Sequence, residues 1–247
     1  MELAVAEFFA GVELARMGLE AVGFDIVWAN DFDRDKVSMY KGHFGTSGDH
    51  EPYAPSIAAV QASDLPDNLS LAWASFPCIN LSLAGWRRGM AKLSDTHSST
   101  FWEFTRVMRE MDDARPGVVL ENVVGLATSR GGEDLRAAIA ELNSLGYSVD
   151  VLTLDARRFV PQSHPQLFLV GAMESPEEDP AEESVLRPDW LQKPFNDPDL
   201  RTIVPCFPSR RRYSKTVGPS WPRQWGWMTA GGGMRSGRRR SWPSYRS

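Results

Sequence analysis

Short apolar runs alternate with stretches of helical spacing from the start of the chain to Gly171. The runs are short enough to be strands, and the stretches between them carry apolar residues at helical intervals. Strands alternating with helices are typical of an α/β fold, so we predict a mostly parallel seven-stranded sheet with helices on both faces. The predicted strands are Leu3–Phe9, Asp25–Ala29, Ile57–Gln61, Leu69–Ala74, Val118–Glu121, Ser148–Leu154 and Leu167–Gly171.

Helices are predicted between these strands, and the first of them follows directly on the first strand. The turn after this helix carries Gly23, and the regular pattern ends beyond Ala172 in a polar, proline-containing stretch. Further helices are predicted near residues 34–42, 99–113 and 132–145. The residues available for the buried side of the first helix are Leu14, Met17, Leu19 and Val22.

The composition indicates one enzyme-sized domain. The chain has 247 residues, of which 42% are apolar, and it contains two cysteines, Cys78 and Cys206. It has no apolar stretch near the roughly 20 residues of a membrane span and no basic-then-apolar leader. We therefore expect a cytoplasmic protein with free thiols and no membrane association.

The charges are divided unevenly along the chain. Residues 1–200 carry 16 Lys/Arg and 32 Asp/Glu, whereas residues 201–247 carry 11 Lys/Arg and no acid. A basic segment with tryptophans can bind nucleic acid through phosphate pairing and base stacking. The alternative, which we favour, is a disordered end or one translated in a wrong reading frame. The tryptophans are Trp221, Trp225, Trp227 and Trp242.

Candidate ligand contacts follow the first three predicted strands. Gly11, after Phe9, lets a ligand approach the backbone ahead of a helix N-terminus. Asp31 is placed to accept hydrogen bonds from ribose hydroxyls, and Phe32 offers a ring for a purine. The alternative for Asp31 is a helix cap, and Asp64 either accepts from an adenine amino group or forms an ordinary turn. Together these residues indicate an adenosine-containing cofactor.

A cysteine and a glutamate follow two other predicted strands. Cys78 comes shortly after Leu69–Ala74, and Glu121 ends Val118–Glu121. Strand ends that meet at one edge of a sheet would aim this nucleophile and this acid at one ligand. The alternatives are an inert core thiol for Cys78 and a turn cap for Glu121. Cys206 has no comparable context.

Three motifs occur in an order and spacing that resemble the C5-cytosine-specific DNA methyltransferase family. The resemblance runs from about Leu3 to Gly171. It implies a Rossmann-like fold of the type found in S-adenosylmethionine-dependent methyltransferases. The motifs are Ser75-Phe76-Pro77-Cys78 with Leu81-Ser82-Leu83-Ala84-Gly85, then Leu120-Glu121-Asn122-Val123, then Phe159-Val160-Pro161-Gln162.

The resemblance implies a covalent reaction on a flipped-out cytosine and no metal. In the family a cysteine thiolate attacks C6 of the base, and C5 then takes a methyl group from S-adenosylmethionine. Cys78 matches this nucleophile, and Glu121 matches the acid that neutralises charge at N3. The segment that contains Phe101 is implied to border the cofactor, largely through backbone groups. The alternative is that the Phe101 side chain belongs to the core. The implied cofactor-binding residues are Phe9, Gly11, Asp31, Phe32, Asp64, Leu65, Pro77 and Phe101.

The resemblance also implies double-stranded DNA as a partner. Ser82 matches a phosphate contact, and the segment 85–95, with Arg87 and Arg88, resembles a mobile loop that closes over the flipped base. The alternative for this segment is a solvated surface loop. Gln162 and His164 are the other expected DNA contacts.

The chain departs from the family pattern at several positions. Glu13 replaces a glycine of the first loop and would repel the carboxylate of the bound methionine moiety. His164 and Gln166 stand where the family has arginines, one of which contacts the target base. The glycine-to-glutamate, arginine-to-histidine and arginine-to-glutamine replacements can each arise from a single G-to-A base change. Decay of a once-active gene is therefore a further hypothesis.

We predict a catalytic domain at residues 1–172, a linker or the start of a target-recognition region at 173–200, and a basic, disordered or frameshifted tail at 201–247. Family members continue into a target-recognition domain and a closing helix. Because neither is recognisable, we expect a chain truncated after the catalytic motifs, with the missing domain or a complementing chain as a partner.

The sequence therefore predicts a DNA (cytosine-5-)-methyltransferase of the restriction-modification type. One alternative is a catalytically inactive remnant or non-catalytic nucleic-acid-binding module that uses the basic tail. Another is an RNA cytosine-5 methyltransferase, although that branch has a different signature from Ile79-Asn80-Leu81-Ser82 after its Pro-Cys pair.

Overall fold

The computed structural model describes residues 3–11, 14–44, 56–77, 99–174 and 186–203. Of the predicted site residues, Cys78, Ser82, Arg87 and Arg88 lie outside the described residues, as does Glu13.

Six strands form one sheet within the described ranges, in the order β2-β1-β3-β4-β6-β5. β1 runs parallel to β2 and to β3, and β3 runs parallel to β4. β6 is antiparallel to both β4 and β5. The parallel part therefore comprises four neighbouring strands. The strands are β1 Leu3–Phe8, β2 Phe24–Asn30, β3 Leu71–Ala74, β4 Gly117–Val123, β5 Ser148–Asp155 and β6 Pro165–Ala172.

Helices cover both faces of this sheet, as predicted. Successive side chains of β1 point to opposite faces. Ala6 packs in the main core with residues of α3 and α5, whereas Val5 packs with Leu19 of α1 on the other face. The α-helices are α1 Leu14–Ala21, α2 Arg34–Phe44, α3 Ser99–Glu110, α4 Gly125–Thr128 and α5 Glu133–Ser144. None in the described ranges is long and apolar enough to cross a membrane.

The strand predicted at Ile57–Gln61 is wrong, because this segment contains a 3₁₀ helix, Ile57–Ala59. Ile57 and Val60 are both buried, and their spacing of three residues is that of one 3₁₀ turn. The carbonyl oxygens of both accept hydrogen bonds from Arg106 Nη2 of α3, at 3.2 and 2.7 Å. A side chain thus takes the place that a neighbouring strand would fill, and the described sheet has six strands instead of seven.

The buried side of α1 also differs from the prediction. Leu19 is buried, but Met17 is 51% exposed, and Val22 lies beyond the end of the helix and is exposed. Gly23 has φ 94°, a conformation that favours glycine, as expected for the turn into β2.

The two ends of the segment 186–203 pair with the outer edge of β5. The backbone amide of Thr153 donates to the carbonyl oxygen of Leu186 at 2.8 Å, and the amide of Ile203 donates to that of Val149 at 3.0 Å. Val149 also forms a parallel bridge with Thr202. The domain boundaries stay a prediction, but residues from the predicted linker region and the first residues of the predicted tail, 201–203, pair with the sheet.

A buried ion pair fastens this segment to β5. The Arg187 guanidinium donates to both carboxylate oxygens of Asp150, at 3.0 and 2.6 Å, and both side chains are almost fully buried. Burial raises the pKa of Asp150, and the hydrogen bonds and charge of Arg187 oppose that rise. The two groups therefore depend on each other, because either one alone would be an uncompensated buried charge.

We predict that Arg187→Met lowers the free energy of unfolding by about 3–5 kcal/mol, because it leaves Asp150 buried without its partner. Urea unfolding measures this change. Arg158→Met removes an exposed guanidinium and serves as the matched control, with an expected change below about 0.5 kcal/mol. Equal effects of the two substitutions would contradict a role for the ion pair.

Candidate active site

The carboxyl ends of three parallel strands meet at one edge of the sheet. Phe8 of β1 pairs with Ala74 of β3, and Ala74 pairs with Leu120 of β4. The residues that follow each of these positions therefore lie side by side. In open α/β sheets this edge is where ligands bind.

The turn after β1 has a backbone shape that brings main-chain groups to this edge. Phe9 and Gly11 have φ values of 58° and 62°, in the left-handed region that is unfavourable for phenylalanine. The amide of Ala10 donates to the carbonyl oxygen of Asn30 at 2.9 Å. The turn is thereby tied to the end of β2.

Asp31 organises this turn from the end of β2. Its Oδ2 accepts from the amide of Gly11 at 2.9 Å, and its Oδ1 accepts from the amide of Asp33 at 2.8 Å. The predicted alternative, a cap of α2, is filled by Asp33, whose Oδ1 accepts from the amides of Asp35 and Lys36. A carboxylate has about four acceptor positions, so Asp31 retains capacity for a ligand.

The other predicted cofactor contacts fall into two groups. Phe32 is 57% exposed beside Asp31, and Pro77 is partly exposed at the end of β3. Asp64 forms the predicted turn, since its Oδ2 accepts from the amide of Gln61 at 2.8 Å, and Leu65 is buried. Their cofactor roles stay predictions.

Phe101 is a core residue, which was the alternative for its side chain. It is fully buried in α3, and its ring centroid lies 5.6 Å from that of Phe76. Because Phe76 precedes Pro77-Cys78, the Phe101 ring supports the segment that leads to the predicted nucleophile.

Glu121 stands at the end of β4 beside this same segment. Its Oε2 accepts a hydrogen bond from Ser75 Oγ at 2.7 Å. It borders an open cavity of about 140 Å³, together with Ser75, Phe76, Asn122, Val123 and Gln166. The Oε1 atom of Gln166 is buried without a hydrogen-bond partner in the described part of the chain. The cavity thus presents a carboxyl group and an amide to one small volume.

Asn122 holds the segment before Cys78 against β4. Its Nδ2 donates to the carbonyl oxygen of Phe76 at 2.9 Å, and its Oδ1 accepts from the amide of Val123 at 2.9 Å. Both ends of the buried amide are therefore used. This cross-link fixes the end of β3 relative to Glu121.

Asp155 organises the loop that carries Gln162 and His164. Its Oδ1 accepts from the amides of Arg157 and His164, at 3.0 and 2.9 Å, and its Oδ2 accepts from Ser163 Oγ at 3.0 Å. The amide of Arg157 is the largest influence lowering the pKa of Asp155, and the other two bonds act in the same direction. Because a lowered pKa means that folding favours the carboxylate, this stabilisation is present at neutral pH and is lost as pH falls through the lowered value.

Gln162 and His164 are both exposed on this loop. The Nε2 atom of His164 lies 3.0 Å from Nε2 of Gln166, so the histidine and the cavity glutamine are neighbours. Their predicted DNA contacts remain predictions.

The structure adds Trp73, Ser75 and Asp155 to the residues that shape the site. From the sequence, Ser75 was recognised only as part of a motif. The available signal was the spacing of two between Trp73 and Ser75, which places both side chains on one face at a strand end. Within the described ranges, no group of three His, Cys, Asp or Glu side chains could hold a metal ion.

The model of the C-5 cytosine-specific DNA methylase family matches residues 3–211, which is most of the chain. The chain belongs to this family. The family resemblance drawn from the three motifs is thereby confirmed.

Relatives within the C-5 cytosine-specific DNA methylase family are longer than this chain. Type II methyltransferase M.Bsp6I of Bacillus sp. (strain RFL6) is 30% identical over 173 residues, which cover 68% of this chain and 52% of that protein. M.HhaI of Haemophilus parahaemolyticus is 28% identical over 166 residues, which cover 66% of this chain and 47% of that protein. DNA-cytosine methyltransferase of Escherichia coli (strain K12) is 28% identical over 236 residues, which cover 83% of this chain and 46% of that protein. The chain spans about half the length of the curated relatives it matches.

Solved methyltransferases confirm the predicted Rossmann-like fold class. Dnmt2 of S. pombe has a TM-score of 0.56 at 23% identity, with 71% of this chain and 53% of that chain covered. EhMeth of Entamoeba histolytica has a TM-score of 0.59 at 14% identity, with 72% and 55% covered. At these identities the likeness concerns the fold alone.

For this family member we predict that Asn122→Ala lowers the free energy of unfolding by about 1–3 kcal/mol, because the buried Phe76 carbonyl loses its donor. Thermal or urea unfolding measures the loss. Asn196→Ala is the matched control, since Asn196 makes the same kind of amide-to-carbonyl bond, to Gln192, on the surface. A loss no larger than that of the control would show that the cross-link is energetically unimportant.

We also predict that Asp155→Asn speeds backbone hydrogen exchange in residues 156–164 at neutral pH, because an amide side chain has one acceptor oxygen instead of two. Mass-spectrometric exchange on peptides measures this. Residues 148–154 of β5 should exchange as before, and Asp67→Asn, an exposed turn position, should leave the loop unchanged. Unchanged exchange in Asp155→Asn would contradict its role in the loop.

Proposed function

We propose that this chain is the catalytic part of a DNA (cytosine-5-)-methyltransferase. In this proposal it transfers a methyl group from S-adenosylmethionine to C5 of a cytosine that has been turned out of the DNA duplex. Cys78 is the nucleophile and Glu121 is the acid.

The observation that carries the proposal is the pairing of β3 with β4. These parallel strands end side by side, and Asn122 binds the carbonyl oxygen of Phe76 two residues before Cys78. Glu121 precedes Asn122 directly, so the predicted nucleophile and acid belong to adjoining strand ends. A thiol and a carboxyl group at one edge can act on one bound base.

Attack of the Cys78 thiolate on C6 forms a carbon–sulfur bond and moves electrons into the pyrimidine ring. Glu121 supplies a proton at N3, which neutralises the developing charge and leaves C5 electron-rich. After C5 has gained its methyl group, loss of the C5 proton to a base expels the thiolate, and return of the N3 proton to Glu121 restores the neutral aromatic base and the acid.

The edge formed by β1 and β2 fits the adenosine-containing cofactor. Gly11 brings backbone to the crevice, Asp31 keeps acceptor capacity for ribose hydroxyls, and Phe32 exposes a ring for adenine. When bound, S-adenosylmethionine supplies the methyl group on a positively charged sulfur. Phe9, Asp64, Leu65, Pro77 and Phe101 complete the proposed cofactor region, with Phe101 acting from the core.

The proposed DNA contacts are Ser82, Arg87, Arg88, Gln162 and His164. They would offset the few kcal/mol that base flipping costs. Gln166 at the cavity replaces an arginine of the family pattern, so we expect weaker charge complementarity to the duplex here. Recognition of the target sequence is assigned to a domain outside the described residues or to a complementing chain.

The RNA alternative is not favoured. The matching family model describes a DNA methylase, and the relative from Escherichia coli is named a DNA-cytosine methyltransferase. The likeness to Dnmt2 shows the fold alone.

A covalent trap tests the proposal. With fluorine at C5, the final step has no proton to lose, so the protein stays bound to the base. We expect the purified chain, S-adenosylmethionine and random-sequence duplex DNA containing 5-fluorocytosine to give an adduct that survives a denaturing gel. Cys78→Ala should abolish this adduct.

Cys206→Ala is the matched control, because it removes the other thiol and should leave the adduct intact. An adduct that persists in Cys78→Ala sinks the mechanism. Absence of any adduct from protein shown to be folded by circular dichroism contradicts catalysis by this chain alone, and favours either the non-catalytic alternative or dependence on a complementing chain.

A further inference from the structure

Two hydrogen bonds in series join Trp73, Ser75 and Glu121. The indole Nε1 of Trp73 donates to Ser75 Oγ at 3.0 Å, and Ser75 Oγ donates to Glu121 Oε2 at 2.7 Å. We call this series the Trp–Ser–Glu relay. Its members come from β3, from the residue that follows β3, and from the neighbouring strand β4.

The chemistry of the groups fixes the direction of the relay. An indole N–H can only donate, so it occupies a lone pair of the serine oxygen. The single hydroxyl proton of Ser75 is thereby directed to the carboxylate. Once Glu121 has given its proton to the base, that bond ends on a charged oxygen and is stronger than a bond between two neutral groups.

The packing around the relay keeps its members in place. The Trp73 ring contacts the ring of Phe168 in a T-shaped arrangement, with centroids 6.1 Å apart. Phe168 lies directly across from Glu121 in the pairing of β4 with β6. The amide of Ser75 also donates to the carbonyl oxygen of Phe8 at 3.4 Å. The serine is thus tied to β1 while its side chain reaches Glu121.

We propose that Ser75, oriented by Trp73, is a positioning residue for Glu121, and this rests on the proposed role of Glu121 as the acid. Ser75 reserves Oε2 as a hydrogen-bond acceptor and leaves Oε1 as the oxygen that carries the proton. During the reaction the proton moves from Oε1 to N3 of the cytosine, while Oε2 keeps its bond to Ser75. The relay therefore decides which oxygen faces the base.

The kinetic test uses three variants with the trap described above and with steady-state methyl transfer. Ser75→Ala should lower kcat and the rate of adduct formation by about tenfold to a hundredfold, the range for a hydrogen bond to a charged group, with KM for DNA changed little. Ser75→Thr keeps the hydroxyl and should restore most of the rate. Trp73→Phe keeps the ring contact with Phe168 but not the donor, and should show a smaller loss.

A structural role alone predicts a different pattern. If Ser75 were only structural, the melting temperature of Ser75→Ala would fall in proportion to its lost activity, and Ser75→Thr would not restore the rate. Either this pattern or an unchanged rate in Ser75→Ala overturns the positioning role.

An NMR measurement tests whether the relay exists, and it requires no enzymatic activity. The indole N–H resonance of Trp73, assigned by its absence in Trp73→Phe, should shift in Glu121→Ala when Ser75 is present. The same Glu121 substitution in a Ser75→Ala background should leave that resonance in place. A shift of equal size in both backgrounds contradicts the relay.

The adduct assay and the tests of Ser75 distinguish failure of the proposed function from failure of the positioning role. A protein with an intact relay but no Cys78-dependent adduct contradicts the proposed function, and with it the catalytic purpose of the relay, but not the two hydrogen bonds themselves. A protein that forms the adduct but ignores Ser75→Ala contradicts the positioning role alone.

Discussion

The parallel pairing of β3 with β4 is the constraint on which the candidate site depends. It sets Ala74 beside Leu120, so that Ser75 and Glu121 follow at neighbouring positions on one edge. Regular hydrogen bonds between strands fix this relation far more firmly than a connecting loop would. Asn122 extends the ladder by one side-chain bond to Phe76, beyond the last paired residue of β3. The antiparallel strand β6 then closes the site, with Phe168 opposite Glu121 and Gln166 opposite Val123.

Carboxylates shape the loops around this edge. Asp31, Asp64 and Asp155 each accept at least one backbone amide, and Asp31 and Asp155 each bind two. Side-chain acceptors of this kind satisfy amides that neither a helix nor a sheet would pair. Some of the excess acidic residues among the first 200 therefore accept hydrogen bonds from backbone amides in loops. The same acids make the domain a poor electrostatic partner for phosphate, which puts more weight on local cations in any contact with DNA.

Periodicity and strand ends predicted the six strands of the described sheet and the helices on both faces. The strand predicted at Ile57–Gln61 was wrong, because two buried residues three apart fit a 3₁₀ turn as well as an apolar strand, and only the contact with Arg106 separates the two. The burial predicted for Met17 was also wrong, since this side chain is 51% exposed. Asp31 and Asp64 show a third kind of ambiguity, because a carboxylate that holds a turn and one that awaits a ligand look the same in sequence.

Local patterns and residue identity were sufficient to predict the fold class, the family and the positions of the motifs. The contacts between distant groups follow only from the folded chain. The bond from Ser75 to Glu121 joins residues 46 positions apart, and the pair of Arg187 with Asp150 joins residues 37 positions apart. No periodicity encodes such pairs, because the register of the sheet and the path of the chain along β5 bring them together.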